Sequence, residues 1–165
     1  MHNLTKLVLS TNLKEISDIC FVECDNLKEL IIPDSVTYLS EQCFNSCINL
    51  TELILSTNLK EIGKWCFDDI NLKELIIPNS VTKIGNHCFN NCNNLSKLKL
   101  SINLKEIEYN CFNYNNLKEL IIPNSVIYLG DYCFNNCNNL TKLILSTNLT
   151  KISNNCFKYC DKLKK

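Results

Sequence analysis

Twelve cysteines are the residues of this 165-residue chain best suited to chemistry. Seven stand directly before a phenylalanine: Cys20, Cys43, Cys66, Cys88, Cys111, Cys133 and Cys156. Five more follow four residues later and complete a C-F-x-x-C phrase: Cys24, Cys47, Cys92, Cys137 and Cys160. Thiols at this density can bind zinc, form disulfides or pack into a core.

Parallel rows of cysteines favour core packing among these three alternatives. A zinc site usually needs two Cys pairs, or Cys and His pairs, that converge tetrahedrally, so we expect neither a metal nor another cofactor. Disulfides between stacked coils about 5 Å apart are sterically conceivable. However, Cys66 and Cys111 have no second cysteine, and the first row has an odd number of members. We therefore favour free buried thiols, with disulfides as the alternative.

Catalytic motifs are missing from the sequence. His2 is terminal, and His87 could act with Cys88 only if two adjacent side chains faced one cleft. No G-x-S-x-G, phosphate-binding glycine loop or H-E-x-x-H is present, so we predict no enzyme and no catalytic residues.

Charge and hydropathy exclude several partner classes. The 17 basic residues, all lysine, balance 17 acidic residues, so neither nucleic acid nor an anionic membrane is an expected partner. No run of 18 apolar residues occurs, and the N-terminus shows no secretion signal. The compartment stays open between cytoplasmic and surface-associated by a non-classical route. The absence of arginine and alanine suggests an AT-rich genome.

A repeat of 22 or 23 residues determines the architecture. The phrase L-x-x-L-x-[LI] opens seven complete repeats and begins an eighth, at Leu4, Leu27, Leu50, Leu72, Leu95, Leu117, Leu140 and Leu163. Its last four letters alternate with the period of a strand. Phenylalanine follows each opening leucine by 17 residues and occurs nowhere else, which predicts a stacked core row. Odd repeats turn through Ser-x-Asn and even repeats through Pro-x-Ser, so the larger unit is two coils long.

The even repeats read L-x-E-L-I-I-P-[DN]-S-V-x-x-[IL]-[SG]-x-x-C-F-x-x-C. This phrase resembles the BspA-like, or Treponema pallidum type, class of leucine-rich repeats, with cysteine where that class usually has alanine. The resemblance implies an α/β-type solenoid over residues 1–165, with a parallel sheet on one face and loops or short helical turns on the other. It also implies a surface-associated protein that acts in adhesion or host interaction.

The strand face is the predicted binding surface. In each opening phrase the fifth letter points outward, which gives the row Val8, Ile31, Ile54, Ile76, Lys99, Ile121 and Ile144. Exposed aliphatic rows often mark protein interfaces, although β-branched residues also favour strands without any partner. We expect a protein partner of unknown identity, with an intracellular scaffold or a self-assembling array as alternative functions.

Two further features bear on partners. The residue before each first-row cysteine varies from coil to coil, and Trp65 and Tyr132 are the predicted anchors in that row. Ordinary surface variation explains the row equally well.

Neither end of the sequence shows a polar capping segment, so homo-oligomers through the ends or through the strand face are a further expectation.

Overall fold

The computed structural model describes residues 3–164, which wind into a parallel-strand β-solenoid. His2 and the extreme residues of the predicted 1–165 domain lie outside this described part. Each coil is too short to bury its own apolar residues, so the coils are stabilised by stacking on one another.

The first sheet is built from the L-x-x-L-x-[LI] phrases. Its strands have three residues, of which the middle one points into the core and the outer two face solvent. They are β2 (Glu29–Ile31), β4 (Glu52–Ile54), β6 (Glu74–Ile76), β8 (Lys97–Lys99), β10 (Glu119–Ile121) and β12 (Lys142–Ile144). They pair in register as three two-stranded ribbons, β2–β4, β6–β8 and β10–β12. No ladder joins β4 to β6 or β8 to β10 within residues 3–164.

A second column of parallel strands lies on the return side of each coil. These strands have two residues: β1 (Glu15–Ile16), β3 (Tyr38–Leu39), β5 (Glu61–Ile62), β7 (Lys83–Ile84), β9 (Glu106–Ile107), β11 (Tyr128–Leu129) and β13 (Lys151–Ile152). They form a four-stranded sheet, β1–β3–β5–β7, and a three-stranded sheet, β9–β11–β13. The break between these two sheets falls between β7 and β9. The residue directly after β9 is Glu108, and at the equivalent position the other coils have Ser or Gly.

The predicted helical turns are wrong: residues 3–164 contain no helix. Two residues four apart in each turn have positive φ, for example Trp65 (51°) and Asp69 (56°), which is incompatible with a right-handed helix. The amide groups of the turn also point along the solenoid. Phe67 donates its N–H to the carbonyl of Cys88 in the next coil at 2.9 Å, instead of to the carbonyl four residues earlier.

The core follows the predicted rows. Phenylalanine rings of successive coils stack with centroids 5.2–5.7 Å apart and planes within 10°. The five inner rings are fully buried, and Phe21 and Phe157 are half-buried. Eleven of the twelve cysteines are buried and only Cys20 is exposed.

Candidate functional site

The outward row of the first sheet is solvent-exposed over its whole length. The aliphatic members are 47–79% exposed: Ile31, Ile54, Ile76, Ile121 and Ile144 in the strands, and Val8 in an opening phrase that forms no strand. Lys99 is also exposed, between Ile76 and Ile121 in the row. Exposure of this kind arises because alternate residues of a strand point to opposite faces, and the inner face is filled by leucines. An apolar row broken by one cation is therefore a surface feature of the fold.

Charged residues run beside this row. Lys97 forms an ion pair with Glu74, and Lys142 Nζ lies 3.0 Å from Glu119 Oε2. Glu29 lies opposite Glu52 in the β2–β4 register, so two like charges are adjacent there. Lys99 and Lys118 have no carboxylate within ion-pair distance among the described residues. The two exposed ion pairs, Lys97–Glu74 and Lys142–Glu119, add little to stability, because water screens them.

Two grooves open on the strand face where the ribbons are not joined. The β4/β6 groove consists of two adjoining cavities of about 630 and 570 Å³, with Leu53, Ile54 and Ile76 in its walls. The β8/β10 groove has a volume of about 790 Å³, with Leu98 and Ile121 in its walls. These volumes lie in the range of ordinary ligand sites.

A shorter turn explains the position of both grooves. The intervals from Leu50 to Leu72 and from Leu95 to Leu117 are 22 residues, one fewer than elsewhere, and the turns concerned lack the second cysteine. In these turns the amide of Asn71 donates to the carbonyl of Leu50 at 3.0 Å. Asn116 does the same to Leu95 at 2.9 Å. The chain then enters the next strand without continuing the ladder.

A row of surface rings crosses four coils on the loop side. Trp65 stacks on His87 with centroids 5.2 Å apart, and His87 meets Tyr109 edge-on at 5.1 Å. Tyr109 contacts Tyr132 at 6.0 Å. The structure thus brings the two predicted anchors, Trp65 and Tyr132, into one row of aromatic contacts. Partial burial lowers the pKa of His87, so its imidazole is neutral at neutral pH.

The thiols act as hydrogen-bond donors within the core. The Sγ–H groups of the second cysteine row point at the phenylalanine carbonyl of the preceding coil. Cys47 Sγ lies 3.2 Å from Phe21 O, and Cys160 Sγ lies 3.3 Å from Phe134 O. Cys133 Sγ and Cys156 Sγ, in adjacent coils, are 3.2 Å apart as free thiols.

Burial makes most of these thiols unreactive. It raises the pKa of Cys47 to about 12 and raises the pKa values of Cys66 and Cys88 well above the ordinary 9.0. A hydrogen bond from Cys137 lowers the pKa of Cys160, near the last described coil. Residues 3–164 contain no cluster of three or more His, Cys, Asp or Glu side chains able to hold a metal ion.

The sequence matches a family model along its full length. The model describes a BspA type leucine-rich repeat region, with six copies, and it matches residues 1–96 and 60–165. The chain belongs to the BspA-type leucine-rich repeat family. The fold described above is that of this family.

Solved structures of other leucine-rich repeat proteins share this BspA-type fold. A leucine-rich repeat protein from Bacteroides ovatus is 29% identical, with a TM-score of 0.83 over 87% of this chain and 38% of that chain. A leucine rich cell surface protein from Faecalibacterium prausnitzii is 22% identical, with a TM-score of 0.60 over 84% of this chain and 44% of that one. The T. pallidum leucine-rich repeat protein is 20% identical, with a TM-score of 0.55 over 93% of this chain and 72% of that one.

These likenesses define the class of molecule. The chain spans 38% of the length of the B. ovatus protein. The two structures under 25% identity share the fold alone. Comparison with curated proteins gave no significant match. Leucine-rich repeats of this family are generally protein-interaction modules and typically non-catalytic, and no enzyme family is indicated.

Sequence reasoning located the outward row but missed the grooves and Tyr109. The 22-residue intervals were the available signal for the grooves. Tyr109 stands one position earlier in its coil than Trp65 does, so a comparison of equivalent positions passes over it.

The described residues include no helix of the length and apolarity needed to cross a bilayer.

Proposed function

We propose that this BspA-type chain is a non-catalytic protein-binding module whose first-sheet face contacts the partner. The observation that supports the proposal is the exposed, mostly aliphatic row, in which Ile54, Ile76 and Ile121 are 57–64% exposed. Removing such a row from water on association is favourable by roughly 25 cal/mol per Å² of apolar area. Strand propensity alone would be met equally well by threonine at these positions, which carries a hydroxyl and less apolar surface.

A triple substitution tests the proposal. Ile54→Thr, Ile76→Thr and Ile121→Thr keep β-branched side chains in the strands, so we expect the fold and the thermal midpoint to change little. Pull-down from an extract of the source cells, with the immobilised chain as bait, should lose its specific partner. The matched control is Ile19→Thr, Ile48→Thr and Ile127→Thr, which alters three exposed isoleucines away from this face. Equal recovery of the partner by both variants would contradict the proposal.

Surface adhesion or host interaction is the narrower form of the proposal. It rests on the family resemblance and predicts labelling of the protein on intact cells by a membrane-impermeant reagent. An intracellular scaffold instead predicts labelling only after lysis. Self-assembly, through the strand face or the ends of the solenoid, predicts a mass that rises with concentration in light scattering without any added partner.

A further inference from the structure

The two grooves of the strand face have the same backbone but opposite charge. Twelve lining positions of the β8/β10 groove have equivalents in the β4/β6 groove one two-coil unit earlier, and eight of them carry the same residue type. The charged members of the β4/β6 groove are one lysine and two glutamates, Lys73, Glu52 and Glu74, a net charge of −1. The β8/β10 groove has three lysines and one glutamate, a net charge of +2.

Two substitutions along the repeat produce this reversal. Lys97 stands where the earlier groove has Glu52, and Lys99 stands where it has Ile54. Lys97 is already paired with Glu74, and Glu119 is paired with Lys142. The cations left without an ion pair among the described residues are Lys99 on one wall and Lys118 on the other. Such a pair of cations across a groove attracts an anionic occupant.

The lining of the β8/β10 groove between Lys99 and Lys118 favours a peptide as the occupant. Leu98, Leu100 and Pro123 give the groove an apolar lining. No hydrogen bond joins β8 to β10, although alternate peptide groups of a parallel strand point to each of its edges. Since β10 lies directly beside β8, an extended chain fits along the outer face of the two strands, over the groove, and not between them. A nucleic acid is disfavoured, since the groove has no aromatic ring for base stacking and the whole chain is neutral.

We propose that the β8/β10 groove binds an extended segment of a partner protein in which acidic and aliphatic residues alternate. The inference rests on the proposed protein-binding function and specifies the chemistry of the partner. Acidic side chains of the segment meet Lys99 and Lys118, and aliphatic ones meet the leucines. The β8 wall of the groove follows the chain from residue 96 to the turn at residue 102.

A peptide titration tests this inference. The probe is a fluorescently labelled peptide of about eight residues in which glutamate alternates with valine. Two control peptides replace every glutamate with glutamine or with lysine. Fluorescence anisotropy at low and at physiological salt should show binding of the acidic peptide alone, weaker at the higher salt. Lys99→Ile, which gives the groove the residue of its twin, should weaken binding about tenfold without altering the circular dichroism spectrum.

A reciprocal variant tests whether the β4/β6 groove can gain binding of the acidic peptide. Glu52→Lys with Ile54→Lys gives the β4/β6 groove the charges of the β8/β10 groove, so the acidic peptide should bind at two sites instead of one. Unchanged affinity in Lys99→Ile, or equal binding of all three peptides, would overturn the acidic specificity while leaving the strand-face function to its own test. A fall in the bound fraction of peptide as the protein concentration rises, together with concentration-dependent dimers, would identify a second copy as the occupant and overturn the proposal.

Discussion

At the residue scale, a buried cysteine differs from an apolar residue of similar size because its thiol can donate a hydrogen bond. The second cysteine row shows this in the contacts of Cys47 and Cys160 with phenylalanine carbonyls of the preceding coil. Where the second cysteine is missing, other side chains take its place. Asn115 donates to the carbonyl of Phe112, and the Cys137 thiol lies 3.1 Å from Asn115 Oδ1. The thiols thus stabilise the core while staying protonated.

Raised thiol pKa values predict a loss of stability in alkaline solution. Cys47 titrates near 12 in the folded chain and near 9.0 when unfolded, so between these values the folded state holds more protons. Stability is therefore fully present below about pH 9 and falls as the pH rises, by about 1.4 kcal/mol per pH unit for each such thiol. Urea unfolding at a series of pH values from about 8 to 10, below most lysine and tyrosine titration, measures the slope.

Cys92→Ala is the matched variant for that slope. Its buried thiol also has a raised pKa, caused by burial. The variant should be less stable at neutral pH, by about 1–2 kcal/mol for the lost hydrogen bond and packing, but should lose less stability on going to alkaline pH. An unchanged pH slope would show that the thiols do not control the alkaline loss.

At the element scale, the interruption of the second sheet is related to a single side chain. The position after the return strand is Ser or Gly in six coils and Glu108 in the fifth. Coils approach closely here: a Cβ placed on Gly63 would lie 2.5 Å from the Ser40 carbonyl carbon. The hydrogen bond from this position to the preceding coil is present for Gly85 and Gly130, at 2.8 and 2.7 Å, and not for Glu108. We expect the larger side chain of Glu108 to hold these two coils apart.

Glu108→Ser should restore the ladder between β7 and β9. Ser40 donates the equivalent hydrogen bond to the carbonyl of Ile16 in the preceding coil, at 2.9 Å, so serine is compatible with the geometry. We expect a gain of about 1 kcal/mol in the free energy of unfolding, together with slower hydrogen exchange of the amide at position 108. Glu106→Ser, which changes an exposed side chain of β9, is the control and should have an effect near zero. Equal effects in the two variants would show that Glu108 does not cause the interruption.

At the scale of the whole molecule, stability is a sum over contacts between neighbouring coils. The phenylalanine stack makes this explicit, since each inner ring touches one ring on either side and Phe157 touches Phe134 alone among the described rings. Phe89 is fully buried and Phe157 is half-buried. One residue type at one position of the repeat therefore has different energetic weight along the stack.

Two alanine substitutions measure that difference. Phe89→Ala removes a ring with two stacked neighbours and should cost about 3–5 kcal/mol in the free energy of unfolding. Phe157→Ala should cost less than half as much, because its ring has one neighbour and remains partly in water. Urea unfolding monitored by circular dichroism gives both values. Equal costs would contradict a stability set by nearest-neighbour contacts.

The repeat made the core and the outward row predictable, because strand alternation assigns Leu30 to the interior and Ile31 to solvent from their order alone. The turns were not predictable in the same way. Residues such as Trp65 and His87 adopt positive φ. Glycine is the usual sequence signal of positive φ, and these turn positions do not contain it. Asparagine precedes the opening leucine in seven coils, a regularity that by itself favours an inward-pointing row. Asn49 and Asn94 are exposed and bond along the surface, to Asp25 and Asn71, since the outer edge of the turn is open to water.

The interruptions of the two sheets have a mechanical consequence, because they never fall between the same pair of coils. Where β4 and β6 are not joined, β5 and β7 are paired; where β8 and β10 are not joined, β9 and β11 are paired. Where β7 and β9 are not joined, β6 and β8 are paired. The unpaired strands alternate between the two sheets, so a pulling force along the solenoid meets at least one intact ladder at each of these three junctions. Under such a force we expect the unjoined strands of a junction to separate before the paired strands on its other side.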